Sequence, residues 1–183
     1  MTRPIKDTAV IVFAYPNNMI SLEAMAWLWR RFPIEHVFSV NVPHVIRARN
    51  SAIKNFVVGN KAQPRLKLPP QITNIILLDN DIKPTDASDA FLALDTDLAA
   101  CRYETGSPLA WASLDSFHLG LCKIRREVFS AVPAPWFEFG MSADGTDLTC
   151  CECASFARKA AAAGFSIGNG GWADHKPSQS WAH

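Results

Sequence analysis

Apolar positions along this chain fall into short runs that alternate with amphipathic stretches, and that alternation predicts the fold. Residues 8–14 (TAVIVFA) form a continuous apolar, β-branched run, the pattern of a strand buried on both faces. Tyr15, Pro16, Asn17 and Asn18 stop it. Ser21 then stands where a helix needs an N-cap, and the helix is predicted to reach about Arg31. Residues 36–42 (HVFSVNV) give a second strand, ended by Pro43. Residues 45–58 give a helix with Ile46, Ile53 and Val57 near one face. A polar, proline-bearing loop covers 59–70. Residues 72–78 (ITNIILL) carry the strongest strand pattern in the chain and lead directly into Asp79-Asn80-Asp81.

Further on, a turn at 84–85 precedes a short helix over 87–94. Strands are predicted over 98–103 and 117–124, and a short helix over 125–131, ended by Pro133, Pro135 and Trp136. A helix over 149–163 closes at Gly164, in the position of a left-handed C-cap. A last short strand, 165–167, leads into a polar, glycine-rich tail. Strand–helix alternation in the first half predicts a parallel sheet with ligands at the carboxyl ends of its strands, and the shorter elements of the second half make that sheet mixed. The expected fold is one α/β, Rossmann-like domain over residues 1–183: a central mixed, mostly parallel sheet flanked by helices.

Composition narrows the function classes. Half the chain is apolar (49%), enough for one core. With 18 basic and 17 acidic residues the net charge is +1, which argues neither for nor against a nucleic-acid partner. No apolar run approaches the ~18 residues of a membrane span, and the first eight residues are polar, so a cytoplasmic protein without a membrane span is expected. Five cysteines, three of them at positions 150, 151 and 153, are poorly spaced for a disulfide framework and fit reduced thiols. Adjacent helical residues point about 100° apart, which favours packing thiols over a zinc site.

The chemistry concentrates at Asp79-Asn80-Asp81. Two carboxylates at i and i+2 after a buried strand can face one cation. Mg2+ or Mn2+ held by such carboxylates neutralises a diphosphate. A plain acidic turn would carry the same residues for its geometry alone.

The context resembles that of inverting GT-A-type glycosyltransferases, in particular short family-2-like members. Four stretches carry the likeness in order: Ala14-Tyr15-Pro16 at the first strand end; Arg47-Ala48-Arg49-Asn50, similar to an "ARN" segment; Leu77-Leu78-Asp79-Asn80-Asp81-Ile82, similar to an "LDxDI" metal motif; and 120–129 (GLCKIRREVF) followed by Pro135-Trp136-Phe137. Glu152, Phe156, Gly164 and His175 are spaced like the family's ending. The likeness spans residues 8–176. It implies transfer of a sugar from a nucleotide-sugar, with UDP the expected base, to a hydroxyl acceptor with inversion, in the cytoplasm (a host cell's, if the chain is phage-encoded).

Residue by residue, the resemblance implies that Asp79, Asp81 and His175 hold Mn2+ or Mg2+. Ala14, Tyr15, Pro16, Arg49, Asn50, Asp79 and Asn80 would border the nucleotide, and Gly120, Trp136 and Phe137 the sugar or acceptor. Inversion needs a carboxylate base. Where the family has an acidic pair this chain has Glu152-Cys153, which leaves Glu152, Asp147 and Asp144 as candidates. Glu152 also fits a capping box with Thr149. Arg30, Arg31, Arg47, Arg49, Lys54, Lys61, Arg65 and Lys67 cluster in the first half, either as solvated charge or as a face for a nucleic-acid acceptor such as a hydroxylated DNA base. A glycan or small molecule is the other acceptor class, and a partner, a second copy or a large acceptor would complete so short a chain. Two other readings stay open: a sugar nucleotidyltransferase, against which the glycine-free first turn counts, and a binding module that has lost its base.

Overall fold

A computed structural model describes residues 4–15, 19–104 and 116–175. The chain runs β1 (Thr8–Phe13), α1 (Leu22–Arg31), β2 (Val37–Val40), α2 (Val45–Ala52), β3 (Asn74–Asp79), β4 (Ile82–Pro84), β5 (Leu98–Arg102), β6 (Leu121–Arg125), α3 (Val128–Ala131), β7 (Gly140–Met141), β8 (Leu148–Cys150), α4 (Glu152–Ala162) and β9 (Ile167–His175). Seven strands form one sheet in the order β2-β1-β3-β6-β5-β9-β4, and β7 pairs with β8 in a separate hairpin. Five of the seven run one way. β6 and β4 oppose them, since β3–β6, β5–β6 and β4–β9 pair antiparallel while β1–β2, β1–β3 and β5–β9 pair parallel. The sheet is therefore mixed and mostly parallel, as the sequence predicts.

Strand periodicity sorts the apolar side chains onto two cores. Ala9, Ile11, Phe13, Ile75 and Leu77 face one side, where Ala48 and Ala52 of α2 and Phe156 and Ala160 of α4 cover them. Val10, Val12, Ile76 and Leu78 face the other, against Trp27 and Leu28 of α1 and Phe91. A strand covered on both faces needs no polar alternation, which is why β1 and β3 read as unbroken apolar runs.

The predicted caps form. Ser21 Oγ accepts from Ala24 N at 3.1 Å, a contact worth about 1 kcal/mol. Gly164 takes φ +90° at the end of α4. Several boundaries differ from the sequence expectation: the strand expected over 117–124 starts at Leu121, the short helix over 125–131 covers only Val128–Ala131, and the helix over 87–94 is a 3-10 helix over Asp86–Phe91. The helix over 45–58 is α-helical only to Ala52 and continues as a π-helix over Ile53–Gly59. The helix expected from 149 starts at Glu152: Thr149 lies in β8, and Cys151 is the N-cap, its Sγ accepting from Ala154 N at 3.4 Å. A capping box from Thr149 to Glu152 is thus overturned, and the Glu152 side chain is released for other partners.

The glycine-rich tail is the largest difference, because residues 167–175 form the nine-residue strand β9 between β5 and β4. Glycines at 168, 170 and 171 erase the strand pattern in the sequence, and packing demands one of them. A Cβ on Gly171 would meet the carbonyl oxygens of Ala87 and Ser88 at 2.7 Å, and its φ is +75°. Among the described residues no helix is long and apolar enough to cross a membrane.

Candidate active site

β1 and β3 are parallel neighbours with Phe13 opposite Asp79, so their carboxyl ends open at the same sheet edge. A cleft of about 250 Å³ lies there, lined by Phe13, Tyr15, Val42, His44, Val45, Ala48, Arg49, Asp79, Asn80, Asp81 and Glu152. This is the edge at which open α/β sheets take ligands.

Its floor is an ion-paired triad. Arg49, on α2 and only 2% exposed, sends Nη2 to Asp79 Oδ2 at 2.6 Å and Nη1 to Glu152 Oε1 at 2.7 Å. The guanidinium also lies 5.7 Å from the Phe13 ring centroid. Helix α4 brings Glu152 across from the far end of the chain, 103 positions after Arg49. The three groups carry one positive and two negative charges. Asp79 Oδ1 and Arg49 Nε are buried with no hydrogen-bond partner, an expensive condition unless a ligand meets them. Burial pushes the Asp79 carboxyl above the usual carboxylate range, with Arg49 pulling against it. The guanidinium stays charged, held so by Asp79 above all.

Asp81 stands on the turn between β3 and β4. Ile82 pairs with His175, which brings the last residue of β9 to this turn. His175 Nε2 lies 3.4 Å from Asp81 Oδ2 and Nδ1 lies 2.5 Å from the Glu104 carbonyl oxygen. The hydrogen bond with Asp81, more than any other influence, raises the His175 pKa. A histidine whose Nδ1–H is fixed by a backbone carbonyl presents Nε2 outward, the arrangement found at metal-ligating imidazoles.

No protein-family model matches the chain, and no curated protein matches it. Among solved structures, the crystal structure of A197 from STIV superposes with a TM-score of 0.52 and 15% sequence identity, covering 91% of this chain and 80% of that one. At that identity the likeness is one of fold.

The other sequence candidates separate into those at the cleft and those elsewhere. Tyr15 borders the cleft, 40% exposed, its carbonyl accepting from Asn80 Nδ2 at 3.4 Å. Ala14 is fully buried, its N–H donating to Val40 O, so it forms wall and not surface. Pro16 lies outside the described residues. Asn50 does not line the cleft: its amide donates to Phe137 O at 2.7 Å and accepts from Phe137 N at 3.2 Å, clamping that segment to α2.

Trp136 and Phe137 do not form a stacking platform. Trp136 is 7% exposed with Nε1 donating to Phe129 O, and Phe137 is fully buried with its ring 4.9 Å from that of Phe156. Both belong to the core beneath α4. Gly120 is likewise structural, since a Cβ there would sit 2.3 Å from the Tyr103 hydroxyl. Asp144 and Asp147 occupy the exposed turn of the β7–β8 hairpin and do not line the cleft. Asp144 accepts from Ser142 and Thr146, which holds its carboxyl below the usual range. The basic residues of the first half form no single face. Arg31 pairs with Asp86 and Asp89 on the α1 side of the sheet, Arg30 pairs with Asp86, and Arg49 is buried from the α2 side.

Sequence reasoning missed two participants. His44, at the mouth, takes φ +68°, a conformation uncommon for a residue with a side chain and enriched at functional sites. Its position between strand-stopping Pro43 and α2 was the available signal. Tyr103 packs between His118 and His175 with ring centroids 5.4 and 5.3 Å away and accepts from Gly120 N, buttressing His175 beside the Asp81 turn.

Proposed function

We propose that this protein is a divalent-cation-dependent glycosyltransferase that uses a nucleotide-sugar. The observation that carries the proposal is the convergence of Asp79 and Asp81 at the β3 edge of one cleft, with Asp79 Oδ1 buried and unpartnered. An oxygen-rich set with one imidazole suits Mn2+ better than Mg2+; as folded, the ligand atoms of Asp79, Asp81 and His175 do not all lie within 4.8 Å of one another, so they would have to close around the ion. Asp79, Asp81 and His175 would hold the ion, and its chemistry would be to stabilise the charge of a departing nucleoside diphosphate. Tyr15 and the apolar wall of Val42, Val45 and Ala48 offer the base a surface at the mouth. Asp79 and Glu152, both fixed by Arg49, set the distance between the donor end and the carboxylate that takes the acceptor proton.

Glu152 is the base in this reading, because Asp144 and Asp147 lie on a solvent-exposed turn outside the cleft. Arg49 and the Cys153 thiol both contact Glu152 Oε1, so Oε2 takes the proton. A second reading, binding without transfer, draws on the same triad, since Arg49 engages both carboxylates at once.

A thermal-shift series with nucleotide-sugars, with and without Mn2+, tests the proposal. A ligand at a hundred times its Kd stabilises the native state by about 2.7 kcal/mol, which raises Tm by roughly 5–11 °C for a domain of this size. That rise should need Mn2+ and vanish in Asp81→Asn. Glu152→Gln should keep the shift and lose about 10²–10⁴-fold in transfer or donor hydrolysis. If no nucleotide-sugar raises Tm with Mn2+ present, the proposal fails. Pyrophosphate release in place of nucleoside diphosphate would point to nucleotidyl transfer.

A further inference from the structure

The thiols at the start of α4 enter the proposed transfer only through the Cys153 contact with Glu152 Oε1, yet they are arranged. Cys151 Sγ, Cys153 Sγ and a Glu152 carboxylate oxygen all lie within 4.8 Å of one another. All five cysteines are free, and the three at this corner differ in setting. Cys150 is buried in β8 against Gly140, where a Cβ would come within 2.5 Å of its sulfur. Cys151 and Cys153 are only partly buried. Helix geometry puts Cα atoms two residues apart at about 5.4 Å, inside the roughly 4.4–6.8 Å that a disulfide bridges. Adjacent Cys150 and Cys151 lack that spacing, because consecutive Cα atoms are about 3.8 Å apart.

We propose that Cys151 and Cys153 are a peroxide-reactive dithiol, with Cys151 the attacking nucleophile and Cys153 the resolving thiol. Cys151 is suited to attack: its sulfur accepts the Ala154 N–H at the first turn of α4, and the neighbouring Cys153 thiol faces it. Those contacts, the Cys153 thiol first, pull the Cys151 pKa down to about 6. Cys153 is pushed well above the ordinary thiol value by the neighbouring Cys151 sulfur and by burial. Cys151 is therefore the readier of the two to attack as a thiolate, and Cys153 attacks in its turn as its proton passes to the departing hydroxyl.

In the first step the Cys151 thiolate attacks a peroxide oxygen. The O–O bond breaks, hydroxide leaves, and a sulfenic acid forms. In the second, the Cys153 sulfur attacks the Cys151 sulfur and displaces the sulfenic hydroxyl, which leaves with the Cys153 proton as water. Two electrons pass from the thiols to the peroxide. A zinc site fits this corner less well, since structural zinc takes four donors and the Glu152 Oε1 atom is already engaged by Arg49 at 2.7 Å. Closing the bond brings the sulfurs to about 2.05 Å and withdraws the Cys151 cap from Ala154. The turn that holds Glu152 against Arg49 is thereby disturbed.

The full chain treated with hydrogen peroxide tests this, read by intact mass and by peptide mapping without reduction. Wild type and Cys150→Ser should each lose two hydrogens and yield a Cys151–Cys153 linkage within one chain. Cys153→Ser should form a sulfenic acid at Cys151 that dimedone traps. Cys151→Ser should form no linkage and react more than ~10-fold more slowly, because a thiol such as Cys101, pushed up by burial to about 11, is almost fully protonated at neutral pH. The proposal is overturned if Cys151→Ser reacts at the wild-type rate. A bond that uses Cys150, or one that joins two chains, overturns it as well.

Discussion

Replacing Arg49 by methionine should destabilise the protein more than any other change at the cleft. The substitution keeps the apolar stem and removes the charge. Two carboxylates then face each other with no cation between them, at a position where the arginine side chain is 3% exposed and the acids 23% and 12%. Breaking a buried ion pair by deleting one partner costs about 3–5 kcal/mol, a large share of the roughly 5–15 kcal/mol that holds a typical domain together. At about 2–4 °C per kcal/mol for this chain length, Tm should fall by roughly 6–20 °C.

Acid should relieve the defect. Without Arg49 the folded-state pKa of Asp79, already raised by burial, rises further above its unfolded value near ~3.9. The folded state then binds more protons than the unfolded one, so stability falls as pH rises. The gap between Arg49→Met and wild type should be small near pH 4 and full at pH 7. The triple variant Arg49→Met, Asp79→Asn, Glu152→Gln, which removes every charge of the triad, should recover at least half of the loss. Urea unfolding at the two pH values measures all of this. A deficit below about 1 kcal/mol at pH 7, or one that does not shrink in acid, refutes the picture of a buried, mutually dependent triad.

Three further outcomes follow from the same geometry. Mn2+ binding should strengthen as pH rises from 6 to 8, because the His175 pKa lies above its ordinary 6.5 and the imidazole must lose its proton to ligate; isothermal titration that finds equal affinity at both ends removes His175 from the cation site. Gly120→Ala should cost about 1–3 kcal/mol, since the new methyl would stand 2.3 Å from the Tyr103 hydroxyl, and a change within 0.5 kcal/mol by chemical denaturation would mean that Tyr103 can move aside freely. Asn50→Ala should cost a similar 1–3 kcal/mol by leaving the Phe137 backbone N–H and C=O without partners, while cation binding measured on the folded fraction stays unchanged; a selective loss of binding would return Asn50 to the nucleotide site.

How far the chain could be read in advance depended on the range of the interactions involved. Ser21, Gly164 and the apolar runs of β1 and β3 declare themselves within a few residues, because capping and strand burial are set by local spacing and a hydrophobic period. Asp79-Asn80-Asp81 was legible for the same reason: a buried strand followed at once by two acids. Strand β9 was hidden, because its glycines erase the strand pattern: Gly171 answers to the carbonyls of Ala87 and Ser88 packed against it, and nothing near it in sequence shows that need. From the sequence Phe137 is a core residue by default and Trp136, after Pro135, the better platform candidate; burial beneath α4 puts both in the core.

By itself, then, the sequence determined an α/β sheet buried on both sides and an acidic tip at the end of its third strand. Only the tertiary structure decided which distant groups meet that tip. Arg49 joins Asp79 to Glu152 across 103 residues, and the pairing of Ile82 with His175 carries the imidazole to Asp81. Local propensity fixes where an element starts and which face it buries, whereas a charged side chain chooses its partner from whatever the packed sheet brings within reach, and that depends on the whole strand order.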